Sequence, residues 1–297
     1  MTTKQPVVGF IGLGEAAFHI ASGLRQAGLQ TVLAYDKFWN ISPQATLVGE
    51  RAEQAGVALQ PSLQALIEAS DIIISAVSAN LAVPLARESA PHLVAGKIYA
   101  DLNSAGPQTK TEAARLIGQT PALFVDGAIM GTVPGLGHRV PTLLCGTGAQ
   151  ELHAALAPFG MQLTVLDGEA GRASASKMLR SIFMKGVVAL LLETVLAGHE
   201  YDLEDDLLAS IAETFAAGDF LDIVNGLIAR GVIHAERRAH EMEEVIATLA
   251  AVDVDATMSR ATHAKLLTIA ATGYKAHFGG VAPKDFHAIF ELGTPKN

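Results

Sequence analysis

Two groups of residues carry the spacing of a reacting site. The first is Gly12-Leu13-Gly14-Glu15-Ala16-Ala17, which interrupts the apolar run starting at Val7 and leads into a helix-forming stretch. Glycines at such a turn let a strand enter a helix tightly and let the backbone touch a pyrophosphate. The phosphates then rest on the exposed amides and positive dipole of the helix N-terminus. Asp36 follows Gly14 by 36 − 14 = 22 residues, close to the roughly 20 at which an acidic side chain meets the adenosine ribose hydroxyls. Lys37 is a cation of the kind that holds a 2′-phosphate, so the segment predicts NAD with NADP as the alternative. The second group is Lys177, Arg180, Ser181, Met184 and Lys185, spaced to share one side of a helix. Flanking Leu179, Ile182, Phe183 and Val187 predict a deeply packed helix, and buried cations need a ligand or a partner. A solvated basic face is the competing reading.

The elements that must position these groups follow from periodicity. Residues 5–11 read as a strand. Ala17, Ile20, Ala21, Leu24 and Ala27 recur at helical spacing, with Gly28 placed for a left-handed stop. Residues 31–35 form a second strand that ends at Asp36. Val57 gives a short strand, and Ser62 caps a helix running through Ala69. Residues 71–77 are apolar, β-branched and too short for a helix, hence a buried parallel strand. Residues 97–101, 122–126, 142–146 and 163–166 follow as strands. The alternation with helices predicts an α/β chain whose first part is a doubly wound sheet of the Rossmann type. Such sheets bind ligands beyond the carboxyl ends of their strands, which assigns Val77, Ser78, Asn103 and the loop after Asp126 to the cofactor crevice beside Gly12, Leu13, Gly14, Glu15 and Ala16. From Gly171 onward only helical periodicity remains. The boundary falls near residue 166, giving a dinucleotide-binding domain over 1–166 and an all-α domain over 167–297.

At 297 residues the chain is long enough for two domains. A formal net charge of −9 offers no basic field for nucleic acid. The apolar run 187–192 is interrupted by Glu193, short of the roughly 20 residues of a membrane span, and reads as a buried helix. The N-terminus enters a strand without a cleavable apolar segment, and the single cysteine, Cys145, cannot form an intrachain disulfide. Cytoplasmic residence is the expectation, with Cys145 a packed strand residue. The scattered histidines show no metal-ligand spacing, so no metal is expected.

Three further segments carry a family resemblance. Asp101-Leu102-Asn103-Ser104-Ala105-Gly106-Pro107 is similar to a D-x-S-T-x-x-P segment, Asp126-Gly127-Ala128-Ile129-Met130-Gly131-Thr132 to a D-A-P-V-S-G-G loop, and residues 168–177 to a G-x-x-G-x(5)-K spacing. Together with the glycine turn they resemble the β-hydroxyacid dehydrogenases, the family of 3-hydroxyisobutyrate and 6-phosphogluconate dehydrogenases. The departures, with the later segment 234–245, look like a divergent 6-phosphogluconate dehydrogenase-like subgroup.

The resemblance places Lys177 on the family's catalytic lysine. It implies hydride transfer between a nicotinamide and a hydroxyl-bearing carbon, with Lys177 moving the hydroxyl proton. It assigns Met130, Gly131, Thr132, Arg180 and Ser181 to the substrate, and implies a homodimer through the helical domain. Met130 stands where the family has a carboxylate-holding serine, and Ser181 where it has asparagine, so a rebuilt substrate pocket is expected. Arg180 is the candidate replacement for the lost anion contact, by a bidentate grip, with pairing to a carboxylate elsewhere in the core as the alternative. Met184 stands where the decarboxylating enzymes keep a glutamate, which disfavours decarboxylation. His234, Arg237, Arg238 and Glu241 are able to share a helix face, either an ion-paired surface or the border of a partner's site. An imine reductase and a non-catalytic dinucleotide-responsive protein are the alternative functions.

Overall fold

Eight strands build one sheet, and the side chains of the central strands alternate between two cores. The computed structural model describes residues 5–41 and 43–293. The strands are β1 (Val8–Ile11), β2 (Val32–Tyr35), β3 (Ala58–Leu59), β4 (Ile72–Ser75), β5 (Ile98–Asp101), β6 (Leu123–Ile129), β7 (Thr142–Cys145) and β8 (Leu163–Val165). Their order is β3-β2-β1-β4-β5-β6-β7-β8. Neighbours run parallel except β6 and β7, which pair antiparallel. The chain reverses its direction of winding between β1 and β4, the point at which such sheets open a crevice.

Val8, Phe10, Ile72, Ile74, Ile98 and Ala100 face one core. There they meet α1 (Glu15–Gln26) through Ile20 and Leu24, α2 (Gln44–Ala55) through Val48 and Ala52, and α7 (Ala149–Leu156) through Leu152 and Leu156. Ile11, Ile73, Tyr99 and Phe124 face the opposite core. It is closed by α3 (Leu63–Ala69), α4 (Ala82–Ser89) and α5 (Pro107–Ile117), which contribute Leu66, Ile67, Ala86, Leu116 and Ile117. A period of two along each strand, apolar on both faces, is what a sheet covered on both sides requires. Local signals fix the helix ends. The Ser62 hydroxyl accepts the Ala65 amide at 3.1 Å to start α3, and Gly28 takes φ +94° to end α1.

One detail of the sheet differs from expectation. The chain after Asp126 is not a loop: β6 continues to Ile129, because Gly127 to Ile129 pair with Leu144 to Thr142 of the antiparallel β7. Beyond it the one-turn segment α6 (Val133–Leu136) is kinked at Pro134 and Gly135.

The chain divides into two compact units, Met1–Ile182 and Phe183–Asn297. The division falls inside the 28-residue helix α8 (Arg172–His199). The second unit contains α9 (Glu204–Ala216), α10 (Phe220–Ile233), α11 (Ala235–Ala251), α12 (Thr257–Ala270) and α13 (Tyr274–His277). Val232, Ile233 and Tyr274 form its small core. Within this unit Glu193 caps α12: its carboxylate accepts the amides of Met258 at 2.7 Å and Ser259 at 2.8 Å, and the Ser259 hydroxyl at 2.6 Å.

Among the described residues, the packing expected around α8 is absent. Leu179 is 65% exposed, Ile182 72% and Phe183 54%. Val188, Leu190, Leu191, Leu192 and Leu196 are exposed as well, so the run 187–192 is not a buried helix segment in a single copy. By length and composition alone α8 is apolar enough to cross a membrane, with a mean hydropathy of 1.7 over its best window.

Candidate active site

One row of residues across the sheet gathers the candidate site. Tyr35, Ile11, Ser75, Asp101, Asp126 and Cys145 stand side by side on β2, β1, β4, β5, β6 and β7. The glycine turn leaves β1 immediately after this row, Ala76 and Val77 leave β4, and Leu102 and Asn103 leave β5.

At the β1 end, the Gly12 amide donates to the Tyr35 carbonyl at 2.7 Å. Gly12 adopts φ +85°, and a Cβ there lies 2.6 Å from Val77 Cγ1 and 3.0 Å from the Ala76 carbonyl oxygen. Glycine is therefore demanded by the fold at this position. Gly14 is different: it precedes α1 with φ −65°, and a Cβ there meets nothing within 4 Å. The fold leaves open space in front of an α1 N-terminus that has no side-chain cap. Uncapped helix amides facing open space suit the anionic oxygens of a pyrophosphate. The residues present thus fit a dinucleotide.

A cavity of about 640 Å3 extends from this turn. It is lined by Gly12, Leu13, Gly14, Glu15, Ala16, Asp36, Lys37, Val77 and Ser78, all expected from the sequence. Phe38, Gln44, Leu47 and Arg51 join them. Asp36 closes the turn from the far side: Oδ2 accepts the Leu13 amide at 2.9 Å and Oδ1 the Phe38 amide at 3.0 Å. The Lys37 ammonium lies 4.8 Å from the centre of the Phe38 ring, a cation–π distance. Arg51, from α2, donates to the Leu13 carbonyl at 3.2 Å. No motif pointed to Arg51. Only the amphipathic pattern of α2, with Val48 and Ala52 inward, leaves it near the turn.

Asn103 stands behind the cavity rather than in its lining. It is buried, its Oδ1 accepts the Val77 amide at 2.6 Å, and its Nδ2 donates to the Ser75 hydroxyl at 3.0 Å. It ties the end of β5 to the end of β4 and the loop that follows it.

At the β6 end lies a buried charge cluster that the sequence reading missed. Lys110 of α5, Asp101 and Asp126 are all wholly buried. The Lys110 ammonium donates to Asp101 Oδ1 at 2.9 Å and to the Asp101 carbonyl at 2.5 Å, and stands 3.4 Å from Asp126 Oδ1. Burial pushes the Asp101 carboxyl up, while Lys110 opposes that shift. Removing one partner from a buried pair of this kind costs about 3–5 kcal/mol, because the other charge stays uncompensated. Asp126 Oδ2 turns the other way. It accepts the amides of Gly171 at 2.9 Å and Ser174 at 3.1 Å, and the Ser174 hydroxyl at 3.0 Å. The Cys145 thiol donates to the same oxygen at 3.5 Å, and Cys145 Sγ accepts the Ala173 amide at 3.2 Å. Burial raises the thiol pKa. The first turn of α8 is thus held by side chains of β6 and β7. The glycine of the G-x-x-G spacing is explained here too: Gly171 takes φ +107°, with Thr111 Oγ1 and the Pro107 carbonyl close to where a Cβ would sit.

Lys177 follows one turn after Ser174 and is half-buried. The Ser181 hydroxyl donates to its carbonyl at 3.0 Å, and Arg180 is exposed. Met130 packs against Ala128, Cys145 and Ala173, its amide donating to the Pro141 carbonyl at 2.8 Å. Gly131 and Thr132 are exposed. None of these substrate-side residues lines the 640 Å3 cavity. In the second unit His234, Arg237 and His240 are exposed and border a separate cavity of about 290 Å3 with Lys275, while Arg237 pairs with Glu241. Among the described residues no group of three or more His, Cys, Asp or Glu is placed to hold a metal ion.

A mostly parallel doubly wound sheet with a glycine turn and an acidic β2 terminus defines a dinucleotide-binding oxidoreductase fold. Residues 7–164 match the NAD binding domain of 6-phosphogluconate dehydrogenase, and the chain belongs to that family. Residues 198–268 match a domain of unknown function, DUF1932. The conserved protein MTH1747, of unknown function and structurally similar to 3-hydroxyacid dehydrogenases, is 36% identical. The match covers 93% of this chain and 99% of that one, with a TM-score of 0.61. A conserved hypothetical protein from Sinorhizobium meliloti 1021 is 32% identical over 98% of this chain and 96% of its own, with a TM-score of 0.63. An imine reductase from Myxococcus stipitatus, solved with NADP+, shares the fold at a TM-score of 0.67 and 18% identity, over 95% of this chain and 99% of that one.

Proposed function

We propose that this protein is an NAD(P)-dependent oxidoreductase transferring a hydride between the nicotinamide and a small β-hydroxy acid, a related alcohol or the matching carbonyl compound. Lys177 serves as general acid and base. The observation that carries the reading is the row across the sheet: the turn that binds the dinucleotide and the anchor of the Lys177 helix rise from the same row, at β1 and β6.

The nicotinamide, when bound, accepts or returns the hydride at its C4. Everything else falls to the chain. The α1 N-terminus and Gly14 take the pyrophosphate, and Asp36 takes the adenosine ribose. In oxidation the Lys177 amine removes the hydroxyl proton, and in reduction its ammonium returns it. Arg180 binds the substrate's anionic group by two parallel N–H donors, in place of the hydrogen bond that Met130 cannot make. Gly131 and Thr132 offer backbone amides and one hydroxyl beside it, and Ser181 flanks the lysine.

Asp36 at the end of β2 favours NAD. Lys37 and Arg51, in the same cavity, are the cations that a 2′-phosphate would use. The exposed apolar faces of α8 support a homodimer built on this helix.

The test is a panel of short hydroxy acids, alcohols, aldehydes and imines assayed with each dinucleotide, with Lys177→Ala alongside. Turnover of a hydroxy acid or its carbonyl partner, lost in Lys177→Ala while dinucleotide affinity persists, is the expected result. Near-normal rates in that variant remove Lys177 from the chemistry. Turnover of imines alone makes the protein an imine reductase, and dinucleotide binding without any turnover makes it a binding protein.

A further inference from the structure

The buried cluster of Lys110, Asp101 and Asp126 lies outside the dinucleotide cavity and outside every step described above. It holds two carboxylates and one ammonium, all with no exposure. Among the described residues, two of its oxygens, Asp101 Oδ2 and Asp126 Oδ1, have no hydrogen-bond partner. A fold gains little from such a cluster by itself, since apolar side chains of similar volume do as well or better in a core. The disposition of Asp126 supplies a reason for it. Asp126 Oδ1 faces the Lys110 ammonium, while Oδ2 collects the Gly171 amide, the Ser174 amide and hydroxyl, and the Cys145 thiol. An anion at the start of a 28-residue helix satisfies orphan amides and meets the positive end of the helix dipole. This cap does not come from the residue preceding the helix. It comes from a strand 48 residues earlier, and it is itself fixed by an ion pair to a different helix. The arrangement sets the axial position and rotation of the first α8 turn relative to the sheet row that bears the glycine turn.

We propose that Asp126, held by Lys110, is a positioning residue that fixes the first turn of α8 on the sheet and thereby sets where the Lys177 amine stands. The catalytic consequence rests on the hydride-transfer reading above, whereas the positioning itself does not. Lys177 lies three residues beyond Ser174, about 4.5 Å further along the axis, so a loosened first turn displaces it directly. Misplacement of a reacting group by about 1 Å is enough to cost a hundredfold in rate.

The experiment compares Asp126→Asn, Asp126→Glu and Ser174→Ala in the full chain by three measurements. These are amide hydrogen exchange over residues 171–177, dinucleotide affinity from the fluorescence of Trp39, the single tryptophan, and kcat with KM. For Asp126→Asn the expected result is exchange in the first α8 turn faster by about tenfold, the scale of a lost helix cap. Exchange in β1 and α1 and dinucleotide affinity stay within about twofold of the parent, and kcat falls more than KM changes. Asp126→Glu, which keeps the charge, recovers part of both effects, and Ser174→Ala shows a smaller version of the first. If Asp126→Asn does not fold, Lys110→Met/Asp126→Asn, which leaves no unpaired buried cation, is measured instead. Unchanged exchange over 171–177, or equal acceleration throughout the first unit together with weakened dinucleotide binding, overturns the proposal. Hydrogen exchange needs no substrate, so the inference stands or falls separately from Lys177→Ala: an active Lys177→Ala variant overturns the proposed function and leaves the exchange result to be read on its own.

Discussion

The Asp36 carboxylate accepts the amide of Leu13 at 2.9 Å, across the 23 residues that separate the end of β2 from the glycine turn. The side chain proposed to read the ribose therefore also shapes the loop that reads the phosphates. Asp36→Asn is expected to weaken NADH binding about tenfold, or about 1.4 kcal/mol, on the scale of a hydrogen bond to a charged group. NADPH affinity should fall less or rise, because the carboxylate opposes a 2′-phosphate. Trp39, three residues beyond Asp36, reports both titrations. Equal losses for the two dinucleotides would mean that Asp36 acts only on the loop.

Gly12 and Gly14 should respond differently to the same substitution. Gly12→Ala places a methyl group against Val77 and the Ala76 carbonyl at a positive φ, and should lower Tm as well as abolish dinucleotide binding. Gly14→Ala fills only open space. It should keep its Tm within about a degree, since surface changes usually stay within ±0.5 kcal/mol, yet lose most of its dinucleotide affinity. A Gly14→Ala protein that binds normally would remove the pyrophosphate from this turn.

His138 gives the first unit an acid limit. Packed beneath α1 at Gly23 and beside Gly160, it is held below the usual histidine range by burial, with Arg139 contributing. The unfolded chain takes up the proton first, near pH 6.5. Stability contributed by the neutral ring is therefore complete above about pH 6.5 and is lost as pH falls through the folded value. Urea midpoints measured from pH 8 to pH 5 should decline, and His138→Gln should flatten the decline. A parallel slope in the variant would assign it to other groups.

The exposed apolar faces of α8 should be covered by a second copy. Sedimentation at micromolar concentration is expected to give a dimer. Leu191→Glu or Leu192→Glu, which puts a charge into that surface, should shift it to monomer. Membrane pelleting without detergent, in place of a soluble dimer, would instead point to a lipid surface for this helix.

Most of the sheet was legible because its signals are local. Residues 71–77 announced β4 by composition, Ser62 announced α3, and the spacing from Gly14 to Asp36 announced β2 and the crevice beside it. The charge cluster was not legible. Lys110 sits in a stretch that reads as an ordinary surface helix, and its partners lie 9 and 16 residues away on two strands, a pairing that exists only once β5 and β6 are side by side. The expected burial of α8 failed for a related reason. Apolar residues on every face demand cover, but periodicity does not say whether the cover belongs to the same chain. The G-x-x-G spacing ahead of Lys177 stands in the sequence as a motif, and the reason for its second glycine emerged only from the left-handed backbone of Gly171 and its bond to Asp126.

Cys145 has a practical consequence. The thiol is the only one in the chain, has no exposure, and is engaged on both sides between Asp126 and Ala173. A reagent reaches it only when β7 and the start of α8 part. Labelling kinetics of the unaltered protein therefore count those partings one molecule at a time, and the sequence supplies its own chemical clock for how often the junction opens.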